Sequence, residues 1–168
     1  MTRLYANPYD LSAVGFYFDS AEAYKEQAEK LRNSYGEPVE EFEIEFIDGE
    51  LIDAQVAKAW GLNQCNFPAF LSACDEWDED DKRRLIVAVG EAGYNFDPES
   101  DHPEKFEIDI YECDSMRELA EQFVDEGLLG DIPTHLENYI DLDAIARDLS
   151  FDYSETCIDG QTLIYRCG

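Results

Sequence analysis

The side chains in this sequence that could do nucleophilic or acid–base chemistry are few and isolated. His102 stands beside Pro103 in a segment without periodicity, and His135 lies in a predicted helical turn. Neither has a Ser or Cys partner in a recognisable nucleophile motif. The chain also has no Walker loop and no Gly-x-Gly-x-x-Gly. We therefore predict that the protein is not an enzyme and needs no cofactor, with an undetected hydrolase as the minor alternative.

Neither the cysteines nor the acidic runs have the spacing of a known metal site. No CxxC pair occurs, and an odd number of cysteines leaves one thiol outside any disulfide framework, so reduced thiols in a cytoplasm are the simple interpretation. An EF-hand loop needs oxygen ligands at positions 1, 3 and 5 and Gly at position 6, and loops starting at Asp75 or Asp141 both fail. We predict no dedicated metal site. The five thiols are Cys65, Cys74, Cys113, Cys157 and Cys167.

The net charge of −28 is the unusual quantity of the composition, with 40 acids against 12 bases. Each third of the chain is strongly negative, so the excess is not confined to a tail. Hydrophobic residues make up 45%, including 10 Phe and 10 Tyr, which is enough for a core. The electrostatic field of so negative a chain repels nucleic acid and anionic membranes and attracts basic surfaces. The sequence shows no leader and no apolar run of membrane-spanning length, so neither nucleic acid nor membrane is an expected partner.

Acidic side chains recur in rows along the predicted elements. Residues 41–46 alternate strictly, with aromatic or aliphatic side chains on one side and acids on the other. Six carboxylates fall within residues 75–81, and further rows follow at 107–112 and 118–126. We predict that these acids form one binding surface. Its members are Glu41, Glu43, Glu45, Asp75, Glu76, Asp78, Glu79, Asp80, Asp81, Glu107, Asp109, Glu112, Glu118, Glu121, Asp125 and Glu126.

The spacing of these rows is comparable with that of DNA phosphates. Outward residues two apart on a strand lie about 6.6–6.8 Å from each other, and duplex DNA carries roughly one phosphate per 3.4 Å on each strand. A solvated β-face is the alternative interpretation, but residues 40–50 hold six acids and no Lys or Arg. Two such charges about 7 Å apart repel by roughly 0.6 kcal/mol in water. Because no Lys or Arg offsets this repulsion between the acids, the pattern indicates either a protein that binds a basic partner or one that works at high salt.

Hydrophobic periodicity predicts an α+β fold in three successive parts, α/β, then helical, then α/β again. Residues 1–50 are predicted to form an α/β module with a three-stranded antiparallel sheet. Residues 51–103 are predicted to form a helical middle module, and residues 104–168 a second α/β module with a three-stranded sheet.

Short-range signals locate several element ends within these modules. The pairs Asp19 with Glu22 and Ser115 with Glu118 have the spacing of a capping box at a helix start. Asp159-Gly160 predicts a hairpin turn near the C-terminus.

Residues 127–149 combine three helix-end signals with an excess of apolar side chains. Gly127 suits the left-handed position after a helix, Pro133 the first turn of the next, and Asp141 the N-cap of a third. An ordinary helical corner over a sheet is one interpretation. The apolar excess favours a self-association patch. Its residues are Leu128, Leu129, Ile132, Leu136, Tyr139 and Ile140.

The same stretch resembles the antirestriction motif of the ArdA family, the DNA-mimicking inhibitors carried by mobile genetic elements. Leu142 and Ile145 stand where that motif more typically has aromatic residues, and Gly15-Phe16-Tyr17-Phe18-Asp19 is a second, weaker match near the start. The Tyr-Asn-x-Gly element expected before it is replaced by Asn7-Pro8-Tyr9-Asp10. The motif itself is matched by Gly127, Leu128, Leu129, Asp131, Ile132, Pro133, Tyr139, Asp141, Ala146, Arg147, Asp148 and Leu149.

This resemblance implies three small modules in an elongated chain, and a homodimer joined through its C-terminal module and acting in the cytoplasm of a bacterial host. The implied target is the DNA-binding groove of a type I restriction-modification enzyme, chiefly its methyltransferase core, which the protein would block by occupancy. A groove built for duplex gains affinity from neutralising phosphates, so matching carboxylates can compete for it without base readout.

Three other interpretations of the acidic surface stay open. The protein could be an acidic adaptor or chaperone-like partner of another basic, nucleic-acid-binding protein. It could inhibit a different DNA-binding defence system. It could also be a halophilic or merely acidic housekeeping domain, although five Cys and twenty Phe plus Tyr fit that class poorly.

Overall fold

Two three-stranded antiparallel sheets organise the chain, and the computed structural model describes all residues, 1–168. The first sheet has the order β2-β1-β3 and the second the order β4-β6-β5. The predicted α+β class with two such sheets is confirmed. The strands are β1 (Arg3–Pro8), β2 (Phe16–Phe18), β3 (Phe42–Asp48), β4 (Ile108–Tyr111), β5 (Ser154–Ile158) and β6 (Gln161–Cys167).

The helices connect and cover these strands. A π-helical segment, Ile86–Glu91, directly continues the fourth helix, and 3₁₀ turns lie at Pro103–Lys105 and Glu137–Tyr139. None of the helices has the length and apolar character that a membrane crossing requires. The α-helices are α1 (Ala21–Lys30), α2 (Leu51–Trp60), α3 (Phe67–Glu76), α4 (Glu79–Leu85), α5 (Met116–Asp125) and α6 (Leu142–Leu149).

The chain divides into two compact units, Met1–Lys105 and Phe106–Gly168. The first unit contains the first sheet and helices α1 to α4, and the second contains the second sheet with α5 and α6. The predicted boundary after residue 50 falls inside the first unit. The division into three modules therefore stays a proposal.

Strand alternation builds the core of the first unit. Along β3, Phe42 and Ile44 are buried and Phe46 is half-buried, while the glutamates between them face outward. Helix α3 packs its aromatic side chains on this apolar face, with the Phe70 ring 6.4 Å from that of Phe46 and the Phe67 ring 5.1 Å from that of Phe18. Burial of each such ring stabilises the unit by about 1.5–3 kcal/mol.

A buried ion pair joins α2 to α4 within this unit. Lys82 Nζ lies 2.8 Å from Asp53 Oδ1 and 3.4 Å from Glu50 Oε2, and it donates to the carbonyl of Cys74 at 3.1 Å. Asp53 is 2% exposed and Lys82 is 4% exposed. Two of the three Nζ donors make hydrogen bonds, to Glu50 and to the Cys74 carbonyl, and the contact with Asp53 is an ion pair. Desolvation acts to lower the pKa of Lys82, but the hydrogen bond and charge of Asp53 outweigh it, and the pKa lies above its usual value.

Thiol reactivity should separate the cysteines by burial. Burial, followed by the charge of Asp53, raises the pKa of Cys74 to about 12, and burial also raises the pKa of Cys113. Cys65 and Cys157 are exposed. Because the thiolate is the nucleophile, we expect these two to react with a disulfide reagent at pH 8 about 10³-fold faster than Cys74 does. The measurement is the time course of thiol release in native protein, with urea-unfolded protein as the control for total thiols. Rapid native labelling of Cys74 would contradict the buried arrangement.

The second unit packs α5 and α6 on one face of its sheet. Its core combines Leu119 and Phe123 of α5 with Ile164 of β6, Cys113 and Tyr153. The ring of Tyr153 lies 5.8 Å from that of Phe123. The predicted hairpin turn is present, since Asp159 and Gly160 both have positive φ, at 51° and 77°. These are the angles that a type I′ turn between β5 and β6 requires.

The two predicted capping boxes have different outcomes. Ser115 accepts a hydrogen bond from the Glu118 backbone N–H and caps α5 as predicted. The cap of α1 is Ser20, which accepts from the Ala23 backbone N–H, so the prediction of Asp19 was wrong by one residue. Ser and Asp are both common N-cap residues. In this helix it is the Ser20 hydroxyl that accepts from the backbone N–H three residues further along the chain.

Candidate functional site: exposed carboxylate rows and an apolar patch

The predicted acids lie on ordered elements and face solvent. Of the sixteen, only Glu45 and Asp81 are half-buried, and the others are exposed. The acids of 41–45 and 75–81 belong to the first compact unit, and those of 107–112 and 118–126 to the second. The structure therefore gives a negatively charged surface on each unit.

The row on β3 is set by the burial of its alternate side chains. Glu43 pairs in register with Asn7, and Glu45 with Tyr5, so the neighbours across the sheet are polar or aromatic and not acidic. Asn7 Nδ2 donates to Glu45 Oε1 at 3.0 Å, which orients that carboxylate. The predicted alternation of buried and outward residues is thus present, but no second acidic strand lies beside it.

The acid run of residues 75–81 spans the junction between α3 and α4. Asp78 caps α4 by accepting from the Asp81 backbone N–H at 2.9 Å, and Glu79 to Asp81 form the first turn of α4. Acids stabilise that end of a helix because the backbone N–H groups there are unpaired. Trp77 anchors the junction, with its ring 5.4 Å from that of Trp60. The run is therefore held rigidly on a packed tryptophan.

Basic side chains reduce the charge of part of this surface. Arg83 pairs with Glu79 at 3.2 Å and with Asp80 at 3.8 Å, and Arg166 pairs with Asp109 at 2.8 Å. Sequence reasoning missed these contacts because each depends on the fold or on side-chain direction.

Asp81 differs from the other acids of the run in its partial burial and its histidine neighbour. The Nε2 atom of His102 lies 3.8 Å from Asp81 Oδ2, and burial raises the pKa of Asp81. The acids that pair with an arginine contribute least to a uniform field. They are Glu79, Asp80 and Asp109.

Helix α5 carries a row of acids that form no ion pair, although Arg117 of the same helix pairs with Asp143. Leu119, Ala120 and Phe123 are buried, so the opposite face of the helix is acidic. That face holds Glu118, Glu121 and Asp125 at helical spacing, and no base lies within 4.0 Å of any of these carboxylates. Glu118 also accepts from the Asp114 backbone N–H at 2.7 Å. This regular row of unpaired carboxylates is a candidate for a surface that meets a basic groove.

The segment after α5 carries the predicted apolar patch. Gly127 has φ +72° and ends α5 as expected. Leu128 is 61% exposed and Tyr139 is 83% exposed; Leu129 and Leu136 are also exposed, while Ile132 and Ile140 are half-buried. Helix α6 follows with Asp141 as its N-cap, and none of its residues is fully buried. The patch and α6 therefore leave substantial apolar surface without cover inside the second unit.

One apolar residue of this region was missed by sequence reasoning. Phe151 lies just after α6 and is 86% exposed. Its position directly behind the apolar stripe of α6 was the available signal.

No group of three or more His, Cys, Asp or Glu side chains is placed to hold a metal ion. His135 lies in the exposed segment between α5 and α6. What these surfaces provide is charge and apolar area.

A comparison with protein-family models matches residues 12–162 to the antirestriction protein family ArdA. The chain belongs to the ArdA family. The match covers nearly the whole chain, including the stretch 127–149 and the weaker one at 15–19 that first suggested the resemblance. No curated protein matches the chain. Membership in ArdA assigns the protein antirestriction activity, so its partner is a protein, a restriction enzyme.

Proposed function

We propose that this ArdA protein acts as a DNA mimic, occupying the DNA-binding groove of a type I restriction-modification enzyme at its methyltransferase core. The observation that carries the proposal is the acidic face of α5, where three carboxylates at helical spacing have no base within 4.0 Å. A groove that binds duplex presents Lys and Arg at phosphate spacing, and fixed carboxylates satisfy them. No chemistry by the inhibitor is required, and the host compartment is a bacterial cytoplasm.

The proposal is tested by competition between the protein and duplex. The protein is titrated into a type I restriction-modification enzyme, and both cleavage and methylation of target DNA are followed. We expect inhibition of both activities and relief of inhibition when unlabelled duplex is added in excess. Inhibition that excess duplex does not relieve would contradict groove occupancy. If the protein inhibits only an unrelated DNA-binding defence enzyme, that enzyme and not the type I enzyme is its target.

We further propose that the protein is a homodimer joined through the second unit. The patch of residues 128–140 and α6 leave apolar side chains exposed in a chain whose charge otherwise resists association. An isologous contact would bury the same patch on both copies. The acidic surfaces of two copies would then belong to one assembly.

The dimer is tested by introducing charge into the patch. Tyr139→Asp is expected to raise the dimer dissociation constant by about 30-fold, since buried interface tyrosines contribute about 2 kcal/mol. Sedimentation velocity over a concentration series reports the mass against the 19.2 kDa of one chain. Leu51→Asp is the matched control, because Leu51 is 76% exposed and lies on α2 of the first unit. A wild-type protein that stays at one chain's mass at every concentration would exclude the dimer.

A further inference from the structure

Four exposed apolar side chains lie on two neighbouring loops of the first unit. Tyr9, Leu11 and Val14 belong to the loop between β1 and β2, and Tyr35 to the turn after α1. Leu11 is 100% exposed and Tyr35 is 82% exposed. Carboxylates suffice to imitate phosphates, so DNA mimicry gives no reason for this apolar group.

The two loops are fixed to each other by hydrogen bonds. The Ser34 backbone N–H donates to the Ser12 carbonyl at 3.1 Å, and Asn33 Nδ2 donates to Asp10 Oδ2 at 2.8 Å. Asp10 Oδ1 also accepts from the backbone N–H and the hydroxyl of Ser12, at 2.9 and 2.7 Å. The exposed apolar side chains are therefore presented by an ordered framework, which lowers the entropy lost on binding.

A cleft of about 390 Å³ adjoins these loops. Its walls are ordered, since the Tyr9 backbone N–H donates to the Glu41 carbonyl at 3.1 Å. On the other side, Gln64 donates to the Glu40 carbonyl at 2.8 Å and accepts from the Phe42 backbone N–H at 2.9 Å. The volume equals that of about a dozen liquid waters, enough for one extended side chain. The cleft is lined by Tyr9, Asp10, Pro38, Val39, Glu40 and Glu41.

The charge of the cleft selects a cation. Three of its six lining residues are acids and none is a base. Hydrogen bonds from Asn33 and then Ser12 hold the pKa of Asp10 below its usual value, and no base lies within 4.0 Å of Glu40 or Glu41. The nearby Arg32 donates to the backbone carbonyls of Glu29 and Leu31. An incoming base therefore meets carboxylates that no internal base has paired.

We propose that this cleft takes one arginine side chain from the surface of the target protein, with apolar neighbours of that arginine packing on Leu11 and Tyr35. Arginine fits better than lysine because its guanidinium is weakly hydrated, stacks on an aromatic ring such as Tyr9, and pairs with carboxylates through a planar fork. This inference rests on the proposed function and deepens it. It adds a docking site whose apolar part is insensitive to salt.

The first test uses a defined peptide and does not depend on any restriction enzyme. Acetyl-Leu-Arg-Leu-amide is titrated into ¹⁵N-labelled full-length protein, with the citrulline peptide as the uncharged, nearly isosteric control. We expect the amide chemical shifts of residues 9–12 and 33–41 to change on addition of the arginine peptide. The citrulline peptide should bind at least about 5-fold more weakly. Shifts that fall instead on α5 and residues 75–81, or no shifts, would overturn the proposal. So would shifts at the same loops on simple concentration of the protein, which would indicate contact between copies.

The second test separates this site from the acidic rows by salt dependence. The variant Leu11→Ser/Tyr35→Ser is expected to inhibit the methyltransferase core of a type I enzyme about 10-fold less tightly at every salt concentration, with an unchanged slope against log salt. Leu51→Ser is the exposed control and should match the wild type. If the double variant inhibits as tightly as the wild type, the docking site is refuted and DNA mimicry is still supported. If the peptide binds in the cleft but the protein does not inhibit the restriction enzyme, the mimicry is refuted and the cleft is still supported as a binding site.

Discussion

Replacing Glu118 with Gln, Glu121 with Gln and Asp125 with Asn is expected to weaken inhibition of a type I restriction enzyme by about 10²-fold. These carboxylates share the exposed face of α5 and have no internal base to neutralise them. At about 1 kcal/mol for each partly exposed charge pair, three lost pairs give this factor. The change is measured as the inhibition constant for DNA cleavage at fixed ionic strength.

The matched control removes the same number of charges from α1. Glu22, Glu26 and Glu29 are exposed acids of that helix, outside the predicted surface, and Glu26 already pairs with Lys30. Their replacement by Gln changes the net charge equally and is expected to alter inhibition by less than about 3-fold, as expected for surface pairs. Equal losses in the two triple variants would show that net charge, and not the position of the acids, determines inhibition.

Lys82→Met is expected to lower the free energy of unfolding by about 3–5 kcal/mol, the usual consequence of leaving one buried charge without its partner. The substitution leaves Asp53 buried and removes the donor to Cys74. Urea unfolding followed by tryptophan fluorescence reports this unit directly, because both tryptophans, Trp60 and Trp77, lie within it. Lys58→Met, at an exposed position on α2, serves as the control and should change stability by less than about 0.5 kcal/mol.

The ion pair between Lys82 and Asp53 should also make the free energy of unfolding depend on alkaline pH. The pKa of Lys82 in the folded protein lies above 10.5. Its contribution to stability is therefore fully present below the unfolded pKa and is lost as pH rises through the folded value. Wild-type stability should fall more steeply than that of Lys82→Met above about pH 10.5. Parallel pH profiles for the two proteins would contradict the buried pair.

Local signals predicted much of the fold because they act within a few residues. Ser115 with Glu118, the left-handed Gly127, the N-cap Asp141 and the turn at Asp159-Gly160 are each determined by backbone geometry that the side chain itself favours. The alternation of residues 42–46 in β3 likewise predicted that Phe42 and Ile44 are buried. Where two capping residues were adjacent, the sequence did not distinguish Ser20 from Asp19.

Long-range pairings were not predictable in this way. Lys82 and Asp53 lie on different helices, and their meeting depends on how α2 packs against α4. Arg166 reaches Asp109 only because β6 pairs with β4 in that register. The sequence therefore indicated acids of which all but Glu45 and Asp81 are exposed, but it did not indicate which of them pair with a base.

The central claim is that fixed carboxylates compete with duplex for a basic groove, and a salt series tests it most directly. Labelled duplex is bound to the methyltransferase core of a type I enzyme and displaced by the protein at ionic strengths from about 50 to 300 mM. The account predicts competitive displacement, with the protein's own affinity for the groove falling as salt rises because salt screens its charge pairs. The fall should be shallower for the α5 triple variant, which lacks three of those pairs. An affinity of the protein that does not fall with salt, or a salt dependence unchanged by that variant, would contradict the account.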